Sequence, residues 1–384
     1  MHRAVTLFFI SLSLYQTSNW LQNTALNFYV YSKAESTLKV GVVQFLQYAP
    51  LIFLPFLGGT LIDRLDKYRM LIFTQFTLMI LSLVLYLITK DDTESVLFNI
   101  LCVVIPMGIM KMLDIPLRQT IMAHLVNDKD KLKNAISFYS TIVNFSRFLG
   151  PFLFGAVVTF SSVELGFLLS AILLIVNVFL LSFLKKYVRR SNTPSTYSAL
   201  YTAIFLIQNG DLRNIFALAL IVGLFGWFFY VLLPEYTYKI LNLPPHTYGY
   251  LTSLAGVGSV LGSLSLLVLK DLKIYTLIRL GILLYAFGIS LWFASTHFYP
   301  LLGLATFLNG FGLSMFYTCA NAQVQVSSPM QMKGKILSLY TSIFIGSQPL
   351  SFMLGALLDK YLNVWVALLC VLLVFIILAL FIKE

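Results

Sequence analysis

The sequence predicts an all-α membrane protein in which twelve transmembrane helices form two six-helix bundles. The chain has 384 residues, of which 59% are hydrophobic and only 11% are charged, and its mean hydropathy is +0.87. So few charges cannot cover the surface of a water-soluble domain of this length. Apolar runs long enough to cross a hydrocarbon layer of about 30 Å recur along the whole chain. One long polar interruption divides these runs into six and six.

The predicted spans are separated by charged and turn residues. The first six lie at 4–30, 38–62, 70–89, 95–115, 135–160 and 163–184. The last six lie at 214–233, 248–269, 274–295, 299–324, 336–358 and 363–382. The first run has no small-residue cleavage pattern, so we expect it to be kept as the first helix and not removed as a signal peptide.

The long polar interruption predicts the domain boundaries. We expect an N-terminal six-helix bundle at 1–184, a cytoplasmic linker at 185–213 and a C-terminal six-helix bundle at 214–384. Within the linker, residues 197–208 have the composition of an amphipathic helix on the inner membrane surface. Two bundles joined in this way are typical of transporters that rock about a site at the membrane midplane.

The basic residues predict the orientation in the membrane. The formal net charge is +11, and most of the 26 Lys and Arg fall in loops that are cytoplasmic if both termini are cytoplasmic. Arg118 is assigned to one of these loops. This asymmetry follows the positive-inside rule and requires an even number of spans. We therefore expect a multi-pass protein of the cell inner (cytoplasmic) membrane with both termini in the cytoplasm.

The same residues indicate the classes of partner. Basic residues do not gather into a patch interleaved with aromatics, so nucleic acid is not an expected partner. The expected partners are the lipid bilayer, a small-molecule substrate and a proton as coupling ion, and the protein is expected to be monomeric. No cofactor, metal site or enzyme activity is predicted, because no nucleophile or metal ligand is spaced around the four histidines.

The turn between the second and third predicted spans carries the most specific motif. Residues 58–69 read GGTLIDRLDKYR. Gly59 lets the helix approach a neighbour closely, Asp63 can face the positive end of a helix dipole, and the basic residues can donate to carboxylates or carbonyls. The predicted conformational latch consists of Gly59, Asp63, Arg64, Lys67 and Arg69. The alternative is a charged turn that anchors two helices at the lipid headgroups.

The Gly-x-Leu-x-Asp-Arg core at 59–64 resembles the cytoplasmic signature of the major facilitator superfamily. Residues 144–155, which read NFSRFLGPFLFG, resemble the Gly-Pro signature of the antiporters in that superfamily. This resemblance implies alternating access and a helix bend at Gly150, Pro151 and Gly155. The turn after the eighth span, at 270–273, is a degenerate echo of the first signature.

Further stretches narrow the resemblance to one branch. Residues 116–119 (PLRQ) and 333–340 (KGKILSLY) resemble the branch that contains macrolide-efflux proteins and the enterobactin exporter. The resemblance implies efflux of a small amphiphilic compound, a siderophore or a drug-like molecule, with proton coupling as in an antiporter. The sequence departs from that branch at Asn19, where an acidic residue is common.

Three ionisable residues lie well inside predicted spans, and we predict that they couple transport to protons. They are Lys111, Asp114 and Arg147. An ionisable group at this depth is costly unless it is paired or functional. Lys111 and Asp114 are three apart and can form a local pair. In the coupling hypothesis, Asp114 is the protonation site and Lys111 or Arg147 competes with the proton. Arg147 is expected to face either the cavity or a neighbouring acceptor.

Polar and aromatic residues of particular helices are the predicted substrate contacts. Helices one, four, seven and ten line the cavity in the superfamily, and the amides of the first helix recur on one face that should not meet lipid. The predicted cavity residues are Asn19, Gln22, Asn23, Asn27, Asn144, Trp227, Tyr230, Asn309 and Tyr317. Packing between helices remains the alternative for each of them.

Two other functions remain open at this point. One is an importer or uniporter of a similar compound. The other is a non-transporting membrane sensor or scaffold on the same fold, which should lack a two-state latch. The intact Asp63-Arg64 signature argues against the sensor or scaffold.

Overall fold

A computed structural model describes residues 2–53, 66–126, 129–186, 209–269, 271–329 and 332–382. Within these ranges the chain is helical and contains no strand, which confirms the predicted all-α class. The predicted surface helix at 197–208 and the latch residues Gly59, Asp63 and Arg64 lie outside the described residues.

The described residues of the first half form six α-helices. They are α1 (His2–Ala34), α2 (Thr37–Tyr48), α3 (Lys67–Asp91), α4 (Val96–Leu125), α5 (Lys129–Phe160) and α6 (Glu164–Ser182). Short 3-10 turns follow α2 at Ala49–Phe53 and α6 at Phe183–Lys186.

The helices of the second half include two that are interrupted within a span. They are α7 (Gly210–Gly226), α8 (Phe228–Glu235), α9 (Pro245–Val268), α10 (Ile274–Ser295), α11 (Pro300–Ser327), α12 (Lys333–Gly346), α13 (Gln348–Leu362) and α14 (Val364–Phe381). A π-helical turn at Tyr236–Ile240 continues α8.

Side-chain caps explain where several helices begin. Asp66 accepts a hydrogen bond from the backbone N–H of Arg69 at the start of α3, and Asn209 accepts one from Leu212 at the start of α7. Such caps satisfy backbone donors that have no partner within the helix. Asn363 has φ of 84° and separates α13 from α14, which it caps in the same way.

Within the described ranges, ten helical segments are long and apolar enough to cross a membrane. They correspond to the predicted spans three to twelve, with Gly210–Ile240 and Ile336–Leu362 each counted as one segment. Helix α1 covers the whole of the first predicted span, and its amides and hydroxyls lower its hydropathy. The second predicted span runs beyond the described residues, so the total of twelve spans stays a prediction.

Helix α3 shows that the bilayer is the solvent. Its buried face contains Thr74, Gln75 and Ser82, whereas Phe73 is 54% and Leu87 is 56% exposed. A helix of a water-soluble protein buries its apolar side chains and exposes its polar side chains to solvent. Polar groups in a bilayer need protein partners, because lipid offers none.

The structure corrects the predicted end of the fourth span. The sequence predicted an end at 115, before Pro116, but α4 runs to Leu125 with Pro116 inside it. Arg118, which the charge pattern placed in a cytoplasmic loop, is therefore a fully buried helical residue. Proline usually ends or kinks a helix because it removes one backbone donor, and here tertiary packing overrides that tendency.

The chain divides into two compact units. Unit 1 contains Met1–Lys33, Leu46–Pro194 and Pro245–Ser253, and unit 2 contains Ala34–Phe45, Ser195–Pro244 and Leu254–Glu384. Helices α2 and α9 thus contribute residues to both units. The predicted bundle boundaries at 184 and 214 stay a prediction.

Within unit 1, the end of α1 is tied to the turn that follows α3. Lys33 pairs with Asp92, and the Tyr29 hydroxyl donates to Asp92 Oδ1 at 2.9 Å. The ammonium of Lys33, with help from the Tyr29 hydroxyl, holds the pKa of Asp92 below its usual range. Asp92 also ends α3 with φ of 47°.

Candidate substrate and proton site

Five buried side chains from four helices of unit 1 form a closed ring of hydrogen bonds. Arg118 Nε donates to the two Asp114 carboxylate oxygens at 2.8 and 3.1 Å, and Arg118 Nη1 donates to Ser11 Oγ at 3.2 Å. Ser11 Oγ donates to Asn177 Oδ1 at 2.5 Å, and Asn177 Nδ2 donates to Gln75 Oε1 at 2.6 Å. Gln75 Nε2 closes the ring by donating to Asp114 Oδ1 at 2.6 Å.

The ring compensates two charges that are entirely removed from solvent. The side chains of Arg118 and Asp114 are 0% and 1% exposed, and the guanidinium carbon also lies 4.7 Å from the centre of the Tyr15 ring. Removing one partner of a buried ion pair typically costs about 3–5 kcal/mol, because the other charge is left uncompensated. Within the described chain, Arg118 Nη2 has no hydrogen-bond acceptor.

The predicted local pair between Lys111 and Asp114 is wrong. Asp114 pairs with Arg118, four residues further along α4, whose guanidinium has more donors in a fixed fork than an ammonium has. The Lys111 ammonium instead donates to Asn23 Oδ1 at 3.1 Å. The sequence did not indicate Arg118 as a partner, because Pro116 suggested the end of the helix.

Lys111 occupies a small polar site between α1, α2 and α4. Its side chain is 6% exposed, and its ammonium lies 6.0 Å from the centre of the Tyr48 ring. Asn23 Nδ2 donates to the Tyr48 hydroxyl at 2.5 Å. Among the described residues, no carboxylate contacts Lys111. This site therefore holds a buried cation with an amide and a ring as its protein neighbours.

Arg147 approaches the same helix as Lys111. Its guanidinium carbon lies 5.4 Å from the centre of the Trp20 ring, a geometry that favours a cation–π interaction. Trp20 and Asn23 are three residues apart and share a face of α1. Gly150 allows this approach, since a Cβ there would lie 2.6 Å from both Leu21 N and Trp20 Cβ.

The amide face of α1 faces protein, as the sequence indicated. Gln22 Nε2 donates to Ser82 Oγ at 2.9 Å, and Asn27 is buried. The Oδ1 atom of Asn19 is buried without a hydrogen-bond donor in the described part of the chain. Asn144 is half-buried on α5. Whether these amides contact substrate stays a prediction.

Two predicted cavity residues pack against one phenylalanine in unit 2, and a third stacks on one of the two. The Phe344 ring centre lies 5.7 Å from Trp227 and 4.8 Å from Tyr317, and Tyr230 stacks on Trp227 at 6.1 Å. Aromatic groups of this kind offer apolar surface and stacking to an organic ligand.

Asn309 lies apart from this aromatic group and has a packing role. It is fully buried, accepts from Trp292 Nε1 at 2.9 Å and donates to the Tyr285 carbonyl at 3.1 Å. Both partners belong to α10, so the Asn309 amide joins α11 to α10. This geometry favours the packing alternative for Asn309.

Two carboxylic acids of unit 2 were missed because the predicted spans ended too early. Glu235 ends α8 and is 8% exposed. Thr37 of α2 donates to it, Asp359 of α13 lies beside it, and Lys239 donates to it at 3.2 Å. Asp114 is therefore not alone as a carboxylic acid within the spans.

The Gly-Pro motif places α5 against two neighbours. Besides the contact of Gly150 with α1, a Cβ at Gly155 would lie 3.0 Å from the Tyr250 ring, and one at Gly249 would lie 2.6 Å from the Gly155 nitrogen. Helix α5 continues through Pro151 to Phe160. The structure thus shows close packing here, and a conformational role of the motif stays a prediction.

The described part of the latch is small. Lys67 is buried, and the exposed Arg69 lies 3.6 Å from Asp66. The remaining latch residues are outside the described ranges, so the latch stays a prediction.

Known proteins resemble this chain along most of its length. Residues 2–384 match the sequence profile of the family described as transmembrane secretion effector. A curated relative, the Staphyloferrin A transporter of Staphylococcus aureus, is 28% identical over 287 residues, which cover 74% of this chain and 72% of the relative.

Several solved transporters share the fold. The nucleoside transporter NupG aligns with a TM-score of 0.81 at 13% identity, over 98% of each chain. A bacterial homologue of the iron transporter ferroportin in an inward-facing state aligns with a TM-score of 0.74 at 16% identity, over 99% of each chain. A D-xylose-proton symporter aligns with a TM-score of 0.73 at 15% identity, over 99% of this chain and 96% of that one. At these identities the likeness concerns the fold alone.

Proposed function

This chain belongs to the transmembrane secretion effector family and is a membrane transporter of the major facilitator type, and we propose that it exports a small amphiphilic organic compound by alternating access. The family description supports export. The Staphyloferrin A transporter among its relatives supports a siderophore as cargo, and the aromatic group around Phe344 suits a drug-like compound equally well.

The buried pair of Asp114 and Arg118 carries the proposal of proton coupling. Arg118 stabilises the charged form of Asp114, so a proton and the guanidinium compete for one carboxylate. Protonation of Asp114 releases Arg118, which keeps Ser11 and the Tyr15 ring as neighbours. Because the ring joins four helices, a change in this one pair alters the packing of all four. A group that binds differently in two states shifts the equilibrium between them.

Proteoliposomes with an imposed pH gradient test the coupling. Staphyloferrin A is the first probe, and the proteins compared are wild type, Asp114→Asn, and Asp114→Asn with Arg118→Gln. We expect wild type to concentrate the probe when a gradient is present. The double variant removes both buried charges, so it should fold and exchange the probe while ignoring the gradient. Wild type that ignores the gradient would contradict proton coupling and indicate a uniporter.

Glu235 and Asp359 are the alternative proton-binding site to Asp114. Two neighbouring carboxyl groups can share a proton, because the protonated group donates to the ionised one. Glu235→Gln in the same assay separates the two sites. If it abolishes the response to the gradient and the Asp114 variants retain it, the proton is carried in unit 2.

Direction is tested separately in cells. A deletion strain should retain the compound inside the cell and release less of it into the medium, as metabolite profiling of cells and medium would show. An importer gives the opposite distribution, and a sensor or scaffold gives neither change.

A further inference from the structure

We propose that Lys111, Asn23 and Tyr48 form a subsite for a carboxylate of the transported compound, so that the cargo is an amphiphilic organic acid. This inference rests on the proposed function and adds the chemical class of the substrate.

The spans of the first half carry an excess of positive charge. Among the described residues, the charged groups away from the helix ends are the cations Lys111, Arg118 and Arg147 and the anion Asp114. Asp114 is already engaged by Arg118. Lys111 is thus a buried cation for which the described protein supplies no anion.

The Lys111 ammonium has donors to spare. An ammonium carries three N–H groups, of which one is directed to Asn23 Oδ1. The Tyr48 ring at 6.0 Å lies at the outer limit of a cation–π contact. Two donors are therefore left for an acceptor, and an anionic oxygen is the acceptor that also compensates the charge.

The position of Lys111 prevents its charge from reaching water along the helix. Lys111 lies at the middle of α4 (Val96–Leu125), about 20 Å from either end at about 1.5 Å per residue. Intramembrane cations in this situation are typically paired or form part of a substrate pathway. The polar face of α1 beside Lys111 belongs to a helix that lines the cavity in this superfamily.

The matching groups of the subsite favour a carboxylate over a neutral amide. Asn23 fixes the ammonium through its oxygen and is itself oriented by the Tyr48 hydroxyl. Arg147 lies over Trp20, three residues from Asn23 on the same face of α1. A second cation therefore lies along this face of α1, which also favours an anionic ligand.

Binding of a matched pair of probes to purified protein tests the inference. The probes are 4-phenylbutyrate and its neutral amide, and inorganic phosphate is the third ligand. Dissociation constants come from thermal-shift titrations of the protein in nanodiscs of neutral phosphatidylcholine. We expect wild type to bind phenylbutyrate at least 10-fold more tightly than the amide and also more tightly than phosphate.

Three variants test whether Lys111 causes the preference for phenylbutyrate over its amide. Lys111→Met should abolish this preference. Lys90→Met is the matched control, because Lys90 is an exposed lysine that lies 5.9 Å from the centre of the Tyr86 ring, and it should retain the preference. Asn23→Asp supplies an internal carboxylate to Lys111, so this variant should fold, show a higher Tm and lose the preference. Asn23→Asp keeps the test decisive even if Lys111→Met does not fold.

Three outcomes would overturn the inference. They are equal affinity of wild type for phenylbutyrate and its amide, retention of the preference in Asn23→Asp, and binding of phosphate as tight as that of phenylbutyrate. The proposed function is tested separately from the carboxylate subsite. It fails if wild type shows the carboxylate preference but does not transport the probe in proteoliposomes. If wild type transports the probe along a pH gradient but shows no carboxylate preference, the proposed substrate class is wrong and the proposed transport function stands.

Discussion

At the residue scale, three cations of the first-half spans meet three different surroundings. Arg118 faces a carboxylate inside a closed ring, Lys111 faces an amide and a phenol, and Arg147 lies over an indole. A buried cation is compensated most fully by a carboxylate. The ion pair therefore fits a switch that must be broken, whereas Lys111 fits a site that a ligand completes.

The amide of Asn177 should be essential for the stability of the ring. Asn177→Leu removes a donor and an acceptor at once and leaves Gln75 Oε1 and the Ser11 hydroxyl without their buried partner. Each buried polar group left unsatisfied costs about 1–3 kcal/mol. We expect a clearly lower Tm in detergent, measured by the intrinsic fluorescence of the purified protein.

Ser182→Ala is the control for Asn177→Leu on the same helix. The Ser182 hydroxyl is exposed and donates only to the Phe179 carbonyl of its own helix at 2.7 Å. A surface change of this kind alters stability by no more than about 0.5 kcal/mol. Equal Tm values for the two variants would show that the ring does not stabilise unit 1.

The sequence predicted two of the buried ionisable residues of the first-half spans, Lys111 and Asp114, but missed Arg118 and did not predict their partners. Depth in an apolar run identifies Lys111, Asp114 and Arg147, and that signal is local. The spacing of four between Asp114 and Arg118 is also local and would have predicted their pair if Pro116 had not suggested a helix end. The partners on α1, α3 and α6 could not be predicted, because spacing within one helix says nothing about which helices pack together.

At the element scale, α5 approaches α1 where a glycine removes side-chain bulk. A Cβ at Gly150 would lie 2.6 Å from the Leu21 nitrogen and 2.9 Å from the Thr17 carbonyl oxygen. Backbone atoms cannot rotate away as a side chain can. The two helices must therefore separate if residue 150 has a side chain.

Gly150→Ala should therefore destabilise the protein, although alanine is the better helix former. Overpacking of this kind typically costs about 1–3 kcal/mol, and the separation of the two helices also moves Arg147 away from Trp20.

Gly210→Ala is the control, since a Cβ at Gly210 meets nothing within 4 Å. Alanine gains up to about 1 kcal/mol over glycine in a helix interior, so Gly210→Ala should be neutral or slightly stabilising. Thermal denaturation of both variants measures the difference, and an unchanged Tm for Gly150→Ala would contradict the close contact.

Elements were easier to predict than their ends. Apolar runs of about 20 residues identified the ten segments that are long and apolar enough for a membrane in the part of the chain that the structure describes. The errors lie at prolines and charges. Helix α4 continues through Pro116, and the segment from Gly210 continues past Pro234 and Glu235 to Ile240. In both places buried partners satisfy a charge that hydropathy alone places outside the membrane.

At the scale of the whole molecule, the fold is shared by transporters of unlike cargo. Solved structures described as transporters of nucleosides and of D-xylose align with this chain at 13% and 15% identity. The fold therefore does not identify the substrate. The substrate class depends on single side chains such as Lys111. The switch between conformational states depends on contacts that exist in only one state.

The predicted latch is the part of the sequence where such a contact is most directly testable. We predict that Asp63→Asn slows transport and leaves insertion and protein level unchanged, since the sequence places this charge in a turn at the level of the lipid headgroups. Coupling free energies in proteins are typically about 1–3 kcal/mol, a change of roughly 5-fold to 150-fold in an equilibrium constant, so we expect initial rates to fall at least about 5-fold.

Asp271→Asn is the matched control, because Asp271 is an exposed residue in the degenerate echo of the motif. This variant should transport at wild-type rates. Rates in proteoliposomes are compared at equal protein content. Wild-type transport by Asp63→Asn under these conditions would leave residues 58–69 as a charged turn that anchors two helices.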